Sequence, residues 1–106
     1  MMADMPNSSN FYSSLHTTLS REQVAGLYES LGWNVRKCSW VDYEVVSDWA
    51  ELVIEAESPI LMHGLVADLL ARIGELVNPL RAAGVAFEAE CYGPEPDRKL
   101  LLEVHS

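Results

Sequence analysis

Between residues 39 and 56 two runs of alternating apolar and polar residues flank a reversal at Ser47 and Asp48. A period of two sustained on both sides of a tight turn predicts a β-hairpin. Pairing Val45 with Ala50 places Tyr43 opposite Leu52 and Val41 opposite Ile54, which makes one face almost wholly apolar. The other face carries Trp40, Asp42, Glu44, Glu51, Val53 and Glu55. In this register Glu44 stands opposite Glu51, and like charges across a ladder destabilise it. The hairpin therefore predicts a sheet with one buried and one acidic face.

A second hairpin follows the same rule near the C-terminus. Phe87 opposite Val104, Ala89 opposite Leu102 and Cys91 opposite Leu100 form an apolar face, and residues 93–97, with two prolines, form the loop. Its outer face holds Glu88, Glu90, Tyr92, Lys99, Leu101 and Glu103. Residues 33–38 continue the strand pattern with Val35 in phase, although Lys37 would point inward and predicts a break there.

Helical signals precede each hairpin. Ser20 and Gln23 have capping-box spacing, Val24, Leu27, Tyr28 and Leu31 recur at helical intervals, and Gly32 supplies a stop, so helix one is expected over 21–31. Ser58 as cap and Pro59 at the first helical position predict a second helix. Its apolar arc runs from Leu61 through Leu65, Leu69, Ile73 and Leu76 to Leu80, with a kink at Pro79 and a stop at Gly84.

The expected fold is α+β in the order α-β-β-α-β-β. It has a single antiparallel sheet of four strands, or five if 33–38 is separate, and two helices on one face. Residues 1–19, rich in Ser, Asn and Thr, read as a flexible N-terminal arm, and 20–106 as a single domain. A chain of 106 residues with 49% hydrophobic content supports one core rather than two.

Charge narrows the partners. Sixteen acidic residues against seven basic ones give a net charge of -9, which repels nucleic-acid phosphates and anionic lipid and attracts a basic protein. No run approaches the roughly 20 apolar residues of a membrane-spanning helix. The N-terminal residues lack the basic flank and apolar run of an export signal, and only Cys38 and Cys91 are present. A cytoplasmic, reduced protein is the expectation.

Three groups of residues could carry function. The open sheet face gathers Trp40, Asp42, Glu44, Glu51, Glu55, Glu88, Glu90 and Tyr92, where two aromatic anchors among carboxylates suit docking of a basic protein. On helix two, Gly64, Ala67, Ala71 and Gly74 form a stripe of small residues opposite the core arc, a surface on which a second copy could pack as a homodimer. Glu88, Glu103 and His105 combine two carboxylates with an imidazole, a set able to bind a divalent metal.

No nucleophile elbow, phosphate loop, dinucleotide motif, paired-cysteine motif or zinc-protease helix is present, so neither an enzyme nor a cofactor is the first expectation. In size, acidity and helix-then-hairpin order, residues 20–105 resemble the small acidic chaperones of bacterial secretion systems, although no motif carries the likeness. That resemblance implies a non-enzymatic interaction module, homodimeric, with an inhibitor or immunity protein as an equal fit. The alternative is a small metal-dependent enzyme or ligand-binding protein that uses the outer-face carboxylates.

Overall fold

The computed structural model describes residues 8–38, 40, 42–56, 58–93 and 99–106. The elements run β1 (Ser8–His16), α1 (Arg21–Glu29), β2 (Asn34–Lys37), β3 (Tyr43–Val46), β4 (Ala50–Glu55), β5 (Ile60–Ala67), α2 (Leu69–Ala82), β6 (Ala86–Tyr92) and β7 (Leu100–His105). They form one antiparallel sheet of seven strands in the order β2-β3-β4-β5-β1-β6-β7. The fold is α+β, but the expected four or five strands become seven because β1 and β5 are strands where the sequence predicts an arm and a helix.

The supposed arm is the centre of the sheet. Along β1, Ser9, Phe11, Ser13 and Leu15 are buried while Tyr12 and His16 are exposed, the alternation of a strand covered on one face. Serine content disguised it. The buried Ser13 hydroxyl donates to the Met62 carbonyl at 2.7 Å, so its burial leaves no orphan donor. β1 pairs with β5 on one side and β6 on the other, which joins the β2-β3-β4-β5 meander to the β6-β7 hairpin.

Residues 60–67 carry apolar side chains on both sides, a pattern shared by a buried helix and a central strand. Tertiary pairing settles it: β5 lies between β4 and β1, with Ile60, Met62 and Val66 turned into the core and Leu61 and Leu65 exposed. The second helix therefore starts at Leu69, after Asp68, and the cap expected at Ser58 belongs to the turn before β5. At the other end, Gly84 adopts φ +73° and the Val85 N–H donates to the Leu80 carbonyl at 2.9 Å, closing the helix as Gly84 predicts. α1 begins with the capping box: Ser20 Oγ accepts from the Gln23 N–H, and Gln23 Oε1 accepts from the Ser20 N–H.

Both helices pack on one sheet face. Val24, Ala25 and Tyr28 of α1 and Leu69, Leu76, Val77 and Leu80 of α2 share one core with Phe11, Leu15, Leu52, Ile54, Met62 and Phe87. The Tyr28 hydroxyl donates to the Leu76 carbonyl at 2.6 Å and ties the two helices together.

Both hairpins keep the expected division of faces but differ in register, except that a bulge at Cys91–Tyr92 sets Leu100, expected to face inward, opposite Tyr92 and half exposed. Ser47 donates to the Ala50 carbonyl, so the β3–β4 turn is centred on Asp48 and Trp49, one residue later than expected. Moving the turn by one residue moves cross-strand partners by two. Val45 thus faces Leu52, Tyr43 faces Ile54, and Glu44 faces Val53 rather than Glu51. The second hairpin shifts likewise, with Ala89 opposite Val104 and Cys91 opposite Leu102. An even shift preserves which residues point inward.

Burial also tunes two core groups. It pushes the Cys91 thiol from 9.0 up to about 11 and raises the Tyr28 phenol well above its ordinary range. Between pH 9 and 11 the unfolded chain releases the thiol proton while the folded chain retains it, so folding stability falls as pH rises through this window. The expected loss from Cys91 is about 1 to 3 kcal/mol, and Tyr28 adds to it at the alkaline end. Denaturant midpoints should decline from pH 9 to pH 11 and decline less in Cys91→Ala; equal slopes for the two proteins would contradict the assignment to Cys91.

Candidate functional site

The face without helices displays three rows of side chains in register. The middle row runs Arg36, Glu44, Val53, His63, Tyr12, Glu90 and Glu103 across all seven strands. Beside it lie Glu55, Leu61, Ser14, Glu88 and His105 on one side. Asn34, Val46, Glu51, Leu65, Asn10 and Tyr92 lie on the other. Carboxylates thus occupy the two flanks, β3–β4 and β6–β7, and aromatic and aliphatic groups occupy β5 and β1 between them.

Contacts link the flanks through the centre. His63 Nε2 and Glu55 Oε2 are 2.6 Å apart, Tyr12 stacks on the His63 ring at 6.0 Å and 16°, and Tyr92 meets Tyr12 edge-on at 5.9 Å. The Tyr92 hydroxyl then donates to Glu90 Oε1 at 2.9 Å. This chain holds the central aromatic groups in place. Next to it is a concavity of about 480 Å³ whose lining includes Tyr12, Leu61, His63, Glu88, Glu90, Glu103 and His105.

The two acidic flanks differ in their partners. Glu44 is ion-paired with Arg36, and Glu55 is hydrogen-bonded to His63. On the far flank Glu90 stands directly opposite Glu103, with Glu88 two residues along the same strand. Neither Glu90 nor Glu103 has a cationic partner among the described residues. The like-charge pair expected at Glu44 and Glu51 is therefore found on the second hairpin instead.

Most residues expected on the docking face are there: Glu44, Glu51, Glu55, Glu88, Glu90 and Tyr92 all sit on its strands. Trp40 does not. It is 91% exposed in the connection between β2 and β3, and Asp42 lies in the same connection, where its carbonyl accepts from the Cys38 N–H. Ser39 and Val41, assigned to the hairpin from sequence, lie outside the described residues.

The expected small-residue stripe is not formed. Gly64 and Ala67 belong to β5 while Ala71 and Gly74 belong to α2, so the four do not share a helix face. Of the metal set, Glu88 and His105 are cross-strand neighbours, but Glu103 pairs with Glu90, and among the described residues no group of three acids, histidines or cysteines is placed to hold a metal ion.

Tyr12 and His63 are the site residues that sequence reasoning missed. Tyr12 was recoverable from the alternation Ser9, Phe11, Ser13, Leu15, a period-two signal overridden by polar composition. His63 was not, because a short apolar run cannot be distinguished as helix or strand by periodicity alone. Comparison with protein families, with curated proteins and with solved structures finds no match to this chain.

Proposed function

We propose that this protein is a non-enzymatic protein-interaction domain whose open sheet face docks a basic segment of a partner. The observation that carries the reading is the cross-strand pair Glu90 and Glu103, set beside Glu88 and the aromatic strip of Tyr12 and Tyr92. Two carboxylates held opposite each other, with no cationic partner among the described residues, disfavour folding, and an arriving lysine or arginine relieves that repulsion. Apolar side chains of the same partner would cover Leu61 and Leu65, both exposed at the middle of the face. Two free thiols, one exposed and one buried, accord with a reducing, cytoplasmic setting.

Glu103→Gln should raise stability at neutral pH by about 0.2 to 1 kcal/mol, as expected when a like-charge cross-strand pair is removed. Affinity capture should recover a basic protein with the wild type and lose it with the triple variant Glu88→Gln, Glu90→Gln and Glu103→Gln. Association should also slow as salt is raised, because long-range attraction is screened. Capture of the same partner by wild type and triple variant, at equal yield, would refute the reading.

A further inference from the structure

On the helix side of the sheet, the end of α1, the β3–β4 turn and the second half of α2 enclose a cleft of about 620 Å³. Its apolar lining includes Trp33, Trp49, Leu31 and Pro79, and its charged lining residues are Asp48 and Glu75. No Lys, Arg or His lines it among the described residues. The aromatic part is rigidly set: Trp33, only 8% exposed, meets Tyr28 at 5.1 Å and 67°, and Trp49 meets Trp33 at 5.2 Å and 74°.

One of the protein's own side chains shows what this chemistry holds. The Arg72 guanidinium carbon lies 4.7 Å from the centre of the Trp49 ring, and Arg72 Nη1 donates to Glu75 Oε2 at 3.1 Å. A guanidinium is planar and weakly hydrated, so it gains from an indole and a carboxylate together where a lysine ammonium loses more hydration. Arg72 itself does not line the cleft. Asp48 has no side-chain hydrogen bond or ion pair among the described residues, which leaves its carboxylate able to accept a second guanidinium.

We propose that this cleft binds an arginine side chain of a second protein, with its methylene stem against Trp49 and Leu31 and its guanidinium at Asp48 and Glu75. The apolar lining suits the stem, and among the described lining residues Asp48 and Glu75 carry the only charges, Glu75 sharing one of its two oxygens with Arg72, so the site discriminates by charge at the tip and by shape along the chain. It is separate from the acidic sheet face and does not depend on that face binding anything.

The test is a titration of the full chain followed through the indole N–H signals of its tryptophans by heteronuclear NMR. The probes are N-acetyl-arginine methylamide and its uncharged citrulline counterpart, with ionic strength held equal. The arginine probe should shift the Trp33 and Trp49 signals saturably and leave that of Trp40 in place. The citrulline probe should bind at least about tenfold more weakly, and Asp48→Asn with Glu75→Gln should weaken the arginine probe by a similar factor. Shifts that never saturate, equal affinity for the two probes, or unchanged affinity in the double variant would overturn the assignment. Should the double variant lose its native signal dispersion, Asp48→Asn alone, in an exposed turn, decides by the same criterion.

Discussion

Gly64→Ala is expected to destabilise the protein by about 3 kcal/mol or more, enough to abolish folding if the native margin is small. A Cβ at Gly64 would lie 1.9 Å from the Glu51 carbonyl oxygen, 2.9 Å from the Glu51 carbonyl carbon and 3.0 Å from Leu52 Cα. All three are backbone atoms of β4, a strand paired on both edges, so no rotamer change relieves the contact. Gly74→Ala provides the contrast. Its new methyl would meet only the Asn78 side-chain nitrogen at 3.7 Å, and replacing a helical glycine should add about 0.5 to 1 kcal/mol. Urea midpoints of the two variants separate the structure from a helical stripe, in which both glycines would respond alike; a mild effect at Gly64 would refute its place between β4 and β1.

Phe11→Ala is expected to remove about 3 to 5 kcal/mol, the loss typical of a fully buried aromatic ring. The effect follows from position as well as burial. Phe11 sits on the strand that joins the β2–β5 meander to β6–β7, opposite Gly64 on one side and Cys91 on the other. Weakening β1 loosens both halves of the sheet together. A flexible arm would predict almost no change, so a denaturation curve for this variant decides between the two, and a loss below about 1 kcal/mol would exclude β1 from the core.

Several parts of the fold were legible because they are local. The Ser20–Gln23 capping box and the Gly84 stop depend on residues a few positions apart, and each is found as read. The facing of β3, β4 and β6 was legible for the same reason, since period-two alternation is a property of each strand alone. Register was not, because a turn can slide by one residue along Ser47-Asp48-Trp49 while every side chain keeps its face. That slide separates Glu44 from Glu51, and an independent register shift in the second hairpin sets Glu90 opposite Glu103, which moves the centre of the candidate site.

The sequence by itself determined which residues face inward on the alternating strands, where α1 starts and where α2 ends, and that the surface is acidic. Only the tertiary structure decided that residues 8–16 and 60–67 are the two central strands, and so that Tyr12 and His63 stand between the acidic flanks. The physical reason is the range of the interactions. Alternation, caps and charge are set within a few residues, whereas Ser8 pairs with Ala67 across the sheet in a ladder that any extended segment can join, and burial against distant partners selects which segment does.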